Sequence, residues 1–186
     1  MPELSARKKE ILLLAAELIM AKGFHATSMR DVAKAAAVQV STLYSHFKSK
    51  EDMLSTICSL VMQELTVHES LKEELLSAKA QFKSMLKQHI TYAITHPDFY
   101  LVSMQEWRQL QGEKLKSYRR SWKAYETNFV QIIQKNKIGK TNAHLILYTC
   151  LGAILYNCQH RNFIQPDKLD LVKQLSKVLS KAALKK

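Results

Sequence analysis

Ser28 and Asp31 stand three residues apart at the head of a short apolar run, the spacing of a capping box. The hydroxyl takes one orphan backbone amide and the carboxylate returns the bond, so a helix is expected to start at Ser28. Val32, Ala33 and Ala36 then recur at helical spacing, and alanines at 33, 35, 36 and 37 let a second helix cross at close range. Val38, Leu43 and Phe47 supply the facing apolar contacts. Gln39, Val40, Ser41, Thr42, Tyr44, Ser45 and His46 are left outward on the second helix, and Lys48-Ser49-Lys50 follows as a basic exit. Short hydrogen-bonding side chains of this kind suit base edges and phosphate oxygens. Two short helices joined by a tight turn form the grammar of a helix-turn-helix.

The rest of the chain offers little but helix. Only 4 Gly and 3 Pro occur in 186 residues, which leaves few positions for hairpins or long loops, and 47% hydrophobic content is enough for a core. An all-α fold is expected. Cys58, Cys150 and Cys158 lack Cys-x-x-Cys spacing and are odd in number, as reduced cytoplasmic thiols would be. Ile11 to Ile19 is broken by Glu17 and is no secretory core, and no run of about 18 uncharged apolar residues is present for a membrane span.

Punctuation divides the chain into about nine helices. The first runs from about Leu4 to Lys22 with Ile11, Ala15, Leu18 and Ile19 on one face and Gly23 as the stop. After the helix-turn-helix, a fourth helix starts near Lys50 and carries Met53, Leu54, Ile57, Leu60, Val61 and Leu65. The fifth covers about Glu73 to Thr95 and the sixth Pro97 to about Leu110, proline suiting a first helical turn. Gly112 precedes a seventh helix to about Lys137, and Gly139 with Thr141 or Asn142 opens an eighth to about Asn162. Pro166 precedes a last amphipathic helix from Asp167 to about Leu184. The division is a three-helix reading domain over 1–49 and a helical body over 50–186.

A net charge of +12 invites a nucleic-acid partner, yet residues up to 50 hold only 8 Lys and Arg against 4 Asp and Glu. Residues 112–140 carry a denser excess, with Lys114, Lys116, Arg119, Arg120, Lys123, Lys135, Lys137 and Lys140 against Glu113 and Glu126. One reading is a solvated helix face. The other is an anion site, since guanidinium groups fork onto phosphate or carboxylate oxygens. Tyr118, Trp122, Tyr125 and Phe129 form an aromatic stripe on the same helix, either core or pocket wall. Met62, Met85, Tyr100, Met104 and Trp107 add large soft groups of the type that line an adaptable lipophilic cavity.

The segment Thr42-Leu43-Tyr44-Ser45-His46-Phe47-Lys48-Ser49-Lys50-Glu51-Asp52, with Gly23-Phe24 ahead of Thr27 and Ser28, resembles the recognition-helix signature of the TetR family of bacterial transcription regulators. The resemblance covers about Arg7 to Leu54. Three positions depart from it: Ala37 and Ser41 stand where the family commonly has glycine, and Gln39 where it has a capping serine. The resemblance implies a homodimeric, ligand-responsive regulator, most simply a repressor, acting on double-stranded operator DNA in a bacterial cytoplasm. Its third helix would enter the major groove with Gln39, Val40 and Ser41 near bases. Thr27, Thr42, Tyr44, His46 and Lys48 would lie on phosphates, and Ser28 would join the DNA-binding set. It also implies a four-helix dimer interface from the last two helices, carried by Ile146, Cys150, Ala153, Asn157, Leu171, Leu175 and Val178; an intrachain hairpin is the plainer reading of the same faces. Gln105-Glu106-Trp107-Arg108-Gln109-Leu110 before a basic helix is similar to the branch that responds to acyl-coenzyme A thioesters. The acyl chain would then lie among the aromatic and methionine groups, and the phosphates on Arg119, Arg120 and Lys123.

An enzyme is not expected, and neither is a cofactor. The seven histidines include no His-Glu-x-x-His pattern, and no Gly-rich phosphate loop or nucleophile elbow is present. Glu64 and His68 lie one turn apart, but two metal ligands without a third define no site. The alternative function is a nonspecific architectural DNA-binding helical protein without an effector.

Overall fold

The computed structural model describes residues 4–66, 77–135, 143–160, 173, 174, 176 and 177. Among these, the elements are α1 (Ala6–Lys22), α2 (Met29–Ala35), α3 (Val40–His46), α4 (Lys50–Thr66), α5 (Ala78–Thr95), α6 (Pro97–Glu106), a 3-10 turn (Trp107–Gln109), α7 (Gly112–Lys135) and α8 (Ala143–Gln159). The described residues contain no strand, and the fold is all-α as expected. Of the expected ninth helix, only residues 173, 174, 176 and 177 are described, and these are helical. No helix is long and apolar enough to cross a membrane among the described residues.

Local chemistry explains the boundaries. The Ser5 hydroxyl accepts the Lys8 amide at the head of α1, and Gly23 ends the helix at φ 87°, a conformation costly for any residue with a side chain. At α2 both halves of the capping box form: Asp31 N–H donates to the Ser28 hydroxyl at 3.1 Å, and Ser28 N–H donates to the Asp31 carboxylate at 2.8 Å. Ala37 turns the chain at φ 51°. Gln39 then precedes α3 without any side-chain cap bond, as expected of a residue poorly suited to that place. At α4 the Ser49 hydroxyl accepts the Asp52 amide and the Asp52 carboxylate accepts the Lys48 amide, each at 3.1 Å.

Two helix limits differ from the sequence reading. Helix α5 begins at Ala78, because extended Ser77 caps it by accepting the Ala80 amide, so the start expected near Glu73 moves inward. Helix α6 ends at Glu106 and tightens into the 3-10 turn before Leu110, where one continuous helix was expected.

The chain forms two units of packing, residues 1–64 with 98–120 and residues 65–97 with 121–186. In the first, α2 packs on both α1 and α3. Its core includes Ile11, Leu12, Ile19, Val32, Leu43, Leu54 and Ile57. Leu43 is the one buried side chain of α3 and anchors that helix, so truncation to alanine costs about 2–5 kcal/mol. In the second unit α5 packs on α8, around Phe82, Ile90, Phe129, Leu147 and Ile154.

Candidate nucleic-acid interface

With Leu43 and Phe47 buried, the turn of α3 leaves Gln39, Ser41, Thr42, Tyr44 and Ser45 exposed, Val40 and His46 half-buried, and Lys48 exposed just beyond. Tyr44 is 51% exposed, high for an aromatic side chain. The Ser41 hydroxyl reaches only the Gln39 side chain, at 3.5 Å, and the Ser45 hydroxyl donates back to the Thr42 carbonyl at 2.7 Å. The face is thus a row of polar groups with little structural work of their own.

Two residues of the expected set are spent on structure. Thr27 is 1% exposed, and its hydroxyl donates to the Gly23 carbonyl at 2.9 Å, so its side chain holds the α1–α2 junction. Ser28 is exposed, but its hydroxyl donates to Asp31 at 2.7 Å inside the capping box. Asp31 also pairs with Lys22 at 2.9 Å; that bond and those from Ser28 hold its carboxyl well below the usual carboxylate range. The frame has a further tie that the sequence reading missed. Arg7 donates to the Ala36 carbonyl at 2.6 Å across 29 residues, fastening α1 to the end of α2. Lys8 lies over the Phe47 ring at 5.5 Å.

The expected ligand residues divide between the two units. In the first, Met62, Tyr100 and Tyr118 are buried and Met104 is half-buried. Trp107 stacks on Tyr118 with centroids 5.6 Å apart, while the guanidinium groups of Arg108 and Arg119 stand 4.8 and 5.8 Å from the indole. Tyr118 donates to the Ser103 carbonyl at 3.2 Å, and burial first of all raises its phenol pKa. Arg120 instead bonds Glu113 at 2.8 Å. Arg119 and Arg120 thus have different partners within the chain. Arg108, outside the expected set, does the pairing with Arg119 around the indole.

In the second unit the aromatic stripe is core. Tyr125 and Phe129 are buried, Trp122 is half-buried against Tyr125, and Phe129 meets Phe82 edge-on at 5.6 Å. The Tyr125 hydroxyl is 2.5 Å from Nδ1 of buried His89, and burial pushes His89 down to about 3, so the ring is neutral at ordinary pH. Met85 is buried as well. Lys123 bonds Glu126 at 3.0 Å, and the Tyr148 hydroxyl donates to the other oxygen of Glu126 at 2.7 Å, the largest cause of that carboxyl's lowered pKa.

Helix α8 carries four of the residues expected at a dimer face, Ile146, Cys150, Ala153 and Asn157. Ile146 and Cys150 are buried within the chain, Ala153 is half-buried, and the Asn157 amide donates to the Ala153 carbonyl at 2.8 Å. The outward large side chains are Leu145, Tyr148 and Tyr156, with Thr149 and Gly152 between. Leu171, Leu175 and Val178 lie outside the described residues, as does His68 of the Glu64–His68 pair. No group of three metal-ligating side chains occurs among the described residues.

A capped short helix packed on a second helix whose polar side is held outward defines a helix-turn-helix protein. Residues 11–57 match the N-terminal profile of the tetR family of bacterial regulatory proteins, and residues 75–156 match the tetracyclin repressor-like C-terminal domain. The chain belongs to that family. It is 41% identical over 61 residues to the HTH-type transcriptional repressor KstR2 of Rhodococcus jostii, a match covering 33% of this chain and 30% of that protein. It is 27% identical over 118 residues to the fatty acid metabolism regulator protein of Bacillus subtilis, covering 62% of this chain and 60% of the relative. Each match therefore spans less than two thirds of the relative's length. The fold is similar to that of AibR, solved in complex with isovaleryl coenzyme A and operator DNA, with a TM-score of 0.75 at 19% identity over 96% of this chain and 98% of that one.

Proposed function

We propose that the chain is a homodimeric, ligand-responsive transcriptional repressor in which residues 1–49 read DNA and residues 50–186 bind effector and partner. The observation that carries the reading is the outward face of α3, where Gln39, Ser41, Thr42 and Tyr44 are exposed on a helix anchored by buried Leu43. Gln39, Val40 and Ser41 contact base edges, while Thr42, Tyr44, His46 and Lys48 fix the helix on phosphates. The outward face of α8, through Leu145, Tyr148 and Tyr156, meets a second copy and sets the spacing of two reading heads.

The effector is an acyl-coenzyme A thioester. Arg108 and Arg119 beside Trp107 offer cations and a stacking surface suited to its phosphates and base, and the described partner of AibR is a compound of that kind. A coupling of about 1–3 kcal/mol between effector and operator is enough for release. Selection of binding sites from random duplexes, followed by titration with acyl-coenzyme A thioesters and free fatty acids, tests both halves. Binding without sequence preference and without response to any of these compounds would instead favour a nonspecific architectural protein.

A further inference from the structure

Lys50 closes the basic exit after α3, where its charge invites a phosphate. Its ammonium is already engaged. Nζ donates to the carbonyl of Phe24, to that of Thr27 at 2.6 Å and to that of His25 at 3.3 Å, and it lies over the Phe24 ring at 4.3 Å. An ammonium has three N–H donors, and these three carbonyls take all of them. The carbonyls belong to the loop that leads into the Ser28 capping box, while Lys50 opens α4 directly after the exit from α3. Burial lowers the Lys50 pKa, against the opposing pull of the Asp31 and Glu106 carboxylates.

We infer that Lys50 is a positioning residue for operator recognition, a strut that fixes the α1–α2 loop against the start of α4, and not one of the phosphate contacts. The inference rests on the DNA-binding reading above. The loop precedes α2, α2 packs on α3, and α3 carries Ser41 directly after its N-cap Gln39 and Val40, so the strut holds the register of the reading face. A phosphate contact weakens binding to every sequence alike, and its loss removes about 0.9 from the slope of log affinity against log salt. A strut behaves differently on both counts.

The experiment compares wild type, Lys50→Met and Lys50→Arg on a duplex selected by the wild-type protein and on an unrelated duplex, across a salt series, at a temperature where circular dichroism shows each protein folded. The expected result is a loss of about tenfold or more on the selected duplex for both variants, little change on the unrelated one, and an unchanged salt slope. Lys50→Arg is the stricter arm and also serves if Lys50→Met does not fold. Arginine keeps the charge and would preserve a phosphate contact, but its planar fork does not match three carbonyls gathered around one nitrogen. Wild-type affinity for Lys50→Arg, a salt slope reduced by about 0.9 in Lys50→Met, or equal weakening on both duplexes overturns the strut. A wild-type protein that binds no duplex at all overturns the DNA-binding reading, and the role of Lys50 with it.

Discussion

Glu51, in the first turn of α4, accepts the backbone amide of Gln111 at 2.9 Å across 60 residues. The next residue repeats the tie, since Asp52 pairs with Lys114 at 3.4 Å while also holding the Lys48 amide. The segment ahead of α7 is therefore fastened to the same turn that follows the recognition helix. Glu51→Ala should cost about 1 kcal/mol of stability, the worth of one hydrogen bond to a charged acceptor near the surface. It should also speed hydrogen exchange at the Gln111 amide. An exchange rate at Gln111 equal to that of wild type would show that the bond is not kept in solution.

Ala37 holds φ 51° without the freedom of glycine. Ala37→Gly should stabilise the protein by about 0.5–1 kcal/mol, the relief of the left-handed conformation less the added entropy of the unfolded chain. In a chain of this size that raises the melting temperature by about 1–4 °C. A lower melting temperature would contradict the turn.

On the reading face, Tyr44→Phe or Lys48→Ala should weaken binding about equally for all duplexes, and Lys48→Ala should flatten the salt dependence. Gln39→Ala should relax preference at one base pair per half-site, about 1–3 kcal/mol of discrimination. An unchanged selected motif from the Gln39 variant would remove that residue from the base contacts.

His89 gives a pH dependence with a definite sign. Its folded pKa, about 3, lies below the ordinary 6.5, so the unfolded chain binds the extra proton between these values. Stability should accordingly fall with acidification below about 6.5, by up to about 1.4 kcal/mol per pH unit from this group. Replacement by Gln, which keeps an amide for the Tyr125 hydroxyl, should remove this component from thermal melts at pH 7, 6 and 5. Parallel pH profiles for the two proteins would rule His89 out as its source.

The exposed side of α8 predicts the assembly. Tyr156 is 59% exposed, so Tyr156→Glu should leave the subunit folded while converting a dimer to monomers in sedimentation. Ile146→Glu should unfold the subunit, because it buries an unpaired carboxylate within the chain. A dimer undisturbed by Tyr156→Glu would place the interface elsewhere.

Much of the fold was legible because its signals are local. The Ser28–Asp31 box, the Gly23 stop and the buried Leu43 each follow from residues within a few positions of one another, where spacing alone decides who can meet. The outward row on α3 follows from the same periodicity.

What the sequence by itself determined is this all-α chain with its helix-turn-helix and the identity of the residues on the outward side of α3. Tertiary structure decided which polar groups are already used. Thr27 looked available until its hydroxyl was placed on Gly23, and Lys50 until its ammonium met the carbonyls of Phe24, His25 and Thr27, up to 26 residues away. It also decided which face of α8 is outward. That helix is apolar around most of its circumference, so periodicity cannot say whether Ile146 and Cys150 or Leu145 and Tyr156 face the core. Hydrogen bonds and burial between residues distant in sequence are properties of packing, and no spacing rule along one helix encodes them.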